Sequence, residues 1–383
     1  MGVVIVAACG GSHAPLSGTR SGACTGTVLD AQPPAPTNPF ITGVTWLDAT
    51  TAVVGIGGRV IDATSADGSH HQVLDVDPHS TGIIVLDVAQ QKVLHTYRGA
   101  SFIAAKPRVG SSNELLVLDG NYTDHGWRDQ IGVIDLATGC LRASEGLVAE
   151  GIVIDPAGDG FVVARGDQLH RASNTIERWD AATLHPGVPR TVPRIDVMSY
   201  DPKTNLLVTA SFGDDTIRER DPVTLADRAS KTLAVHVREG FSLVPGRGEI
   251  AMAFETPCTR VNPPTEVRVE CREPVQEHGM LVVGLDPLTE LHRSQITPEI
   301  DARRLAWVPN GSRAYAPCED DHLLCEWTPE TGAVRTLPAA ALGYWSKLTF
   351  AGDGDTFVAE GPHATIDVRS MTTGALAWQL PIP

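Results

Sequence analysis

No run of about 18 apolar residues occurs in the 383 residues, so no helix of this chain is long enough to cross a membrane. Helical periodicity is nearly absent as well, and the stretch from Ala339 to Leu342 is too short to count. No C-x-x-C pair is present, which argues against a zinc cage or a thioredoxin-like redox site. G-x-S-x-G, H-E-x-x-H, a haem-attaching C-x-x-C-H and a phosphate-cradling glycine loop are missing too. Positive charge is short: 30 Lys and Arg face 46 Asp and Glu, a net charge of −16. Such a surface repels phosphate backbones and releases no counterions, so nucleic acid is excluded as a partner.

Turn residues, by contrast, are plentiful, with 37 Gly and 27 Pro spread in short clusters. Between them a unit recurs. An apolar strand runs into Asp or a small polar residue, then a turn, then a second short strand, as in IIVLDVAQQKVL (83–94) and IGVIDLATGCLR (131–142). Aligned on Asp87, Asp135, Asp180, Asp221, Asp286, Thr328 and Ser370, the steps are 48, 45, 41, 65, 42 and 42 residues. The long step contains a 24-residue, Pro-rich segment from Glu255 to His278, and removing most of it restores the period. A second piece, strand–turn–strand, precedes each first piece, as in MSYDPKTNLLVTASFGD (198–214). Each unit thus supplies four strands. One such unit cannot bury both faces alone, whereas seven arranged radially cover one another. The near-continuous apolar runs Leu115–Leu118 and Leu281–Val283 fit strands covered on both sides. The expected fold is all-β, a seven-bladed propeller of four-stranded antiparallel blades over residues 43–383. Blade 1 is expected to open on its own innermost strand near Val44, and blade 7 to end on its own outer strand. Thr27–Leu29 is a candidate extra edge strand.

There are seven cysteines. The first, Cys9, follows an apolar stretch from Val3 to Ala8 and precedes Gly10, Gly11 and Ser12. Val6, Ala7, Ala8 and Cys9 resemble the lipobox of bacterial lipoproteins, which implies cleavage before Cys9 and acylation of its thiol. The other reading of the segment is a buried first strand. On the lipobox reading residues 1–9 are the signal, 10–42 a tether and N-terminal segment, and the protein is extracytoplasmic, held to a bacterial membrane by lipid alone. The six remaining cysteines are an even number, as a disulfide framework requires. Cys258 and Cys271 bracket the Pro-rich insertion, Cys318 and Cys325 bracket a short polar turn, and Cys24 and Cys140 remain to pair. Reduced, buried thiols are the alternative.

The repeats resemble the YVTN/YncE-type units of bacterial and archaeal surface propellers. Leu207-Val208-Thr209-Ala210 takes the place of the first motif of that family, and Val133-Ile134-Asp135 with Thr138-Gly139 that of the second. The likeness spans roughly residues 43–380 and implies a propeller that binds rather than catalyses.

In a propeller the connections between second and third strands share one face, and they are long in blades 1, 2 and 5. Long loops on a rigid scaffold carry function. Candidate binding residues are His70, His71, Asp75, Asp77 and His79 in blade 1, and Asn121, Tyr122, Asp124, His125 and Trp127 in blade 2. Imidazoles with carboxylates suit a cation, but the spacing matches no defined ligand set, and no metal or cofactor is expected. Aromatics interleaved with acids suit stacking on sugars or peptides. The expected activity is binding of a protein, peptide or glycan by a monomer. The rival is a metal-dependent, lactonase-like hydrolase with its site in the central channel.

Overall fold

The computed structural model describes residues 24–36, 39–64, 70–74, 80–108, 111, 113–123, 126–144, 147, 149, 151–155, 160–166, 173–256, 258–261, 268–271, 277–297, 299–300, 302–318, 323–337, 348–361 and 364–382. After a short first strand, β1 (Thr27–Val28), blade 1 comprises β2 (Pro39–Trp46), β3 (Thr51–Thr64), β4 (His70–Leu74), β5 (Gly82–Asp87) and β6 (Lys92–Arg98). Blade 2 follows with β7 (Ala104–Pro107), β8 (Glu114–Thr123), β9 (Gly126–Asp135) and β10 (Cys140–Ala143). Blade 3 holds β11 (Gly151–Ile154), β12 (Gly160–Gly166), β13 (Ser173–Asp180) and β14 (Arg190–Pro193); blade 4 holds β15 (Val197–Asp201), β16 (Leu206–Ser211), β17 (Thr216–Arg220) and β18 (Asp227–Thr232). Blade 5 has β19 (His236–Val244), β20 (Glu249–Thr256), the small hairpin β21 (Cys258–Val261) and β22 (Arg268–Cys271), then β23 (Glu277–Gly284) and β24 (Thr289–Gln295). Blade 6 is β25 (Ala306–Trp307), β26 (Ala314–Cys318), β27 (Leu323–Thr328) and β28 (Ala333–Leu337). Blade 7 is β29 (Leu348–Phe350), β30 (Thr356–Gly361), β31 (Thr365–Ser370) and β32 (Leu376–Pro381).

Every blade is a four-stranded antiparallel path in sequence order, so no blade mixes strands from the two ends of the chain. This is the seven-bladed propeller that the repeat predicts. Among the described residues the only helical turn is a 3-10 segment, Ala302–Arg304, and no helix is long and apolar enough to cross a membrane. First strands of neighbouring blades touch one another, as β2 does β7, β15 does β19 and β25 does β29, so they form the inner ring.

The described apolar residues sort into seven clusters, one per blade interface. Strand alternation explains the sorting. Val53, Ile83 and Val85 point toward blade 2, while Val54, Ile84 and Leu86 point toward blade 7. Both faces of a middle strand are therefore covered, and its sequence reads as one apolar run. The ring closes in the same way: Ile41 and Ile56 of blade 1 pack on Val358, Ile366 and Val368 of blade 7. A hydrogen bond from Ile41 N to a Glu360 carboxylate oxygen (3.1 Å) joins the same two blades.

The recurring Asp at the end of each third strand is explained by its turn. The carboxylates of Asp87, Asp135, Asp180 and Asp221 accept the N–H of the residue three further on, at 2.8, 3.2, 2.7 and 2.8 Å, and Ser370 Oγ accepts that of Thr373 at 3.2 Å. Those N–H groups have no ladder partner, so the side chain supplies one. The bond from Thr224 N–H, with the Arg228 guanidinium beside it, lowers the Asp221 carboxyl to about 2. One residue later the backbone is left-handed: Gln91, Gly139, Leu184, Leu225, Gly332 and Gly374 have φ of 53°, 68°, 54°, 58°, 68° and 69°. A Cβ at Gly374 would meet nothing within 4 Å, so only backbone strain opposes one there. Gly374→Ala is expected to cost about 1 kcal/mol in denaturant unfolding; an unchanged midpoint would contradict the left-handed turn.

A strap crosses the outside of blades 1 and 2. β1 pairs with β10 (Thr27 opposite Leu141, Val28 opposite Cys140), and the Cys24–Cys140 disulfide fastens its start. Leu29 then buries itself between the blades, its N–H on Gly139 O at 2.9 Å, and Arg98 N–H reaches Asp30 O at 2.8 Å. Beneath it Tyr97 of blade 1 donates to Leu136 O of blade 2 at 2.6 Å, and burial, with help from Asp135, pushes its phenol up. The edge strand and the disulfide expected from the sequence are both present. Of the other cysteines, Cys325 is disulfide-bonded and Cys318 stands diagonally opposite it across β26 and β27. Cys258 lies directly opposite Cys271 in the β21–β22 register. The side chains of Cys258, Cys271 and Cys318, and all of Cys9, lie outside the described residues.

Candidate functional site: the hairpin face of blades 1 and 2

The long connections of blades 1 and 2 differ from the loops expected. They are continuations of the blade strands. β2 pairs with β3 only up to Gly58 and β5 only from Ile56, yet β3 runs on and pairs with β4 from Arg59 opposite Leu74 to Thr64 opposite His70. In blade 2 the ladder to β7 stops at Leu118, while β8 and β9 continue from Asp119 opposite Gln130 to Thr123 opposite Gly126. Each extension of five or six residues stands roughly 16–20 Å beyond its blade at about 3.3 Å per residue. Blade 5 carries its counterpart in β21–β22. All three join second strands to third strands, so all three rise from one face.

The ring brings two of them together. β4 lies alongside β8, so the hairpins of blades 1 and 2 are neighbours, whereas the blade 5 hairpin stands three blades away. His70 and His71 are on β4, Asn121 and Tyr122 on β8, and Trp127 on β9. Their side chains lie outside the described residues, as do Asp75, Asp77, His79, Asp124 and His125 altogether.

Between the roots of the two hairpins is a cleft of about 160 Å³, lined among others by Thr81, Ser101, Asp119, Gln130, Gly132 and Leu141. That volume suits a single side chain or sugar ring; a whole small-molecule ligand needs several times more. Asp119 and Gln130 form the first cross-strand pair above the blade body.

The floor is the linker from blade 1 to blade 2. It lies directly on two glycines: a Cβ at Gly43 or at Gly55 would come 2.8 Å from Phe102 O. Thr42 Oγ1 donates to Phe102 O at 2.7 Å and is 2.6 Å from Ser101 Oγ. Phe102 itself is fully buried in the blade 1–blade 2 cluster. The linker backbone is thus held from below by packing and from the side by a hydroxyl. Sequence inspection did not single out Thr42, Ser101 or Phe102, because these residues meet across about 60 positions of chain.

Among the described residues no group of three or more His, Cys, Asp or Glu is placed to hold a metal ion. The buried carboxylates are tied to local partners: Glu177 takes Trp179 Nε1–H at 3.0 Å and Arg165 at 2.6 Å, and Asp367 takes Thr365 and Arg369.

No family model matches the chain, and no curated protein does. Similarity appears among solved structures. A chain of Kuenenia stuttgartiensis hydrazine synthase aligns at TM-score 0.56 and 14% identity, covering 94% of this chain and 99% of that one. The Cps50 (Swd1) β-propeller domain of Myceliophteria thermophila aligns at TM-score 0.53 and 14% identity, covering 90% and 98%. At that identity the likeness shows the fold alone.

Proposed function

We infer that this chain is an extracytoplasmic, lipid-anchored propeller that binds a protein, peptide or glycan through the hairpin face of blades 1 and 2. The observation that carries the reading is the pair of adjoining hairpins over a cleft whose floor is held by Thr42 and Phe102. Extended strands on a rigid ring offer exposed backbone edges and side chains together, the combination that recognises another chain. The size of the cleft supports an anchor residue or a sugar from a larger partner over a free metabolite. Binding also fits the YVTN/YncE-type resemblance of the repeats.

The Cys24–Cys140 disulfide supports an oxidising compartment, where such bonds persist. With the lipobox-like Val6–Cys9 it supports attachment outside the cytoplasm. Cys9→Ser is expected to move the protein from the membrane fraction to the soluble fraction, and unchanged fractionation would remove the anchor from the account.

Binding has its own test. Crosslinked capture from envelope extracts is compared between the natural chain and a variant in which 60–73 and 120–129 are replaced by tight turns. The expected outcome is a partner lost at least tenfold in the variant while its thermal unfolding stays cooperative. Equal capture by both would refute the hairpin face as the binding surface.

A further inference from the structure

The hydroxyls under the cleft of blades 1 and 2 fix the hydrogen-bonding polarity of its lining. Thr42 has one hydroxyl proton, and it goes to Phe102 O at 2.7 Å. The 2.6 Å contact between Thr42 Oγ1 and Ser101 Oγ must then run the other way, with Ser101 donating. Ser101 is 4% exposed and lines the cleft, so its hydroxyl has lone pairs but no proton to offer an occupant. Asp119, on the β8 wall, carries a carboxylate, which also accepts. Its rung partner Gln130 can turn either end of its amide inward. Val117 and Leu141 supply apolar wall, and Gly99, Ala100 and Ala143 keep the space open by having little or no side chain. Among the described residues no Lys, Arg, His or aromatic side chain lines the cleft. Such a lining suits an occupant that donates at one end and is apolar along its stem. Lysine and arginine are the side chains built that way.

We propose that the cleft is a subsite for one lysine or arginine side chain of a basic polypeptide partner, its stem against Val117 and Leu141 and its cationic head on Asp119 and Ser101. The inference rests on the reading of the hairpin face as a binding surface and names the class of partner. A sugar is the poorer occupant. The described lining offers it no aromatic ring to stack on, and its neutral hydroxyls bond a carboxylate less strongly than a charged donor does. The net charge of −16 steers a basic chain toward the molecule as a whole. The cleft then holds one residue of it.

The test is saturation-transfer NMR of the full chain with peptides Gly-Ala-Xaa-Ala-Gly in which Xaa is lysine, arginine, citrulline or glutamine, and with maltotriose. The salt is about 150 mM, which screens attraction between exposed charges. Two variants accompany the natural chain: Asp119→Asn, which removes the charge at constant shape, and Ala143→Leu, which narrows the cleft from an exposed position on the edge strand β10. The expected result is binding of the lysine and arginine peptides roughly fivefold or more tighter than that of their neutral counterparts. Asp119→Asn should remove that difference, and Ala143→Leu should weaken the cationic peptides by a similar factor, both with cooperative thermal unfolding retained. Equal affinity for the arginine and citrulline peptides would overturn the subsite, and so would a cation preference that survives both substitutions. Tighter binding of maltotriose than of every peptide would overturn it too, while leaving the hairpin face as a binding surface. Failure of the face itself is read separately, from capture by the chain with trimmed hairpins.

Discussion

Cys24→Ser is expected to lower the unfolding free energy by about 3–5 kcal/mol under non-reducing conditions. The bond joins residues 116 positions apart, and in the chain-entropy account a loop of about 100 residues is worth about 4.7 kcal/mol. More follows the bond. β1 has only two residues and two register pairs, too few to hold an edge strand without a covalent start. Leu29, 6% exposed, depends on that placement for its burial. The measurement is a denaturant midpoint for Cys24→Ser and Cys140→Ser, which should coincide with each other and lie below that of the parent. A midpoint equal to the parent's would mean that the strap adds nothing to the blades beneath it.

Phe102→Ala is expected to cost a similar amount, about 3–5 kcal/mol, for a different reason. Phe102 is fully buried and touches two blades, so truncation leaves a cavity that Gly43 and Gly55, having no side chains, cannot fill. Its carbonyl also anchors Thr42, so the linker under the cleft should loosen together with the core. Stability and partner affinity should fall together in this variant, whereas hairpin trimming reduces affinity alone. A loss below 1 kcal/mol would show that the linker is not packed as described.

The parts of this fold that were legible in sequence are those fixed by local chemistry. An Asp that takes the N–H three residues on, followed by a left-handed residue, writes itself as D-x-x-x-G or a near variant, and Asp135 to Gly139 shows the pattern in full. Strands apolar on both faces, such as Leu115–Leu118, announce neighbours on both sides. The Cys24–Cys140 pairing was legible because the other cysteines lie close to one another in the chain.

The hairpins were not legible as strands. Among the described residues, 59–64 pair only with 70–74 and 119–123 only with 126–130, and the polar composition of both segments reads as loop. The floor of the cleft was hidden for another reason. Thr42 and Phe102 are ordinary residues alone, and Gly43 and Gly55 fall within strand runs; their role exists only once blade 1 meets the linker. Adjacency of the blade 1 and blade 2 hairpins is likewise a property of the ring.

Amide hydrogen exchange of the free chain against its complex with the captured partner tests the binding account most directly. Slowed exchange is predicted in β4, β8, β9 and the linker 99–102, with the turns on the opposite face, such as 221–225, unaffected. Protection confined to those opposite turns or to the outer strands, with the two hairpins exchanging as in the free protein, would contradict it.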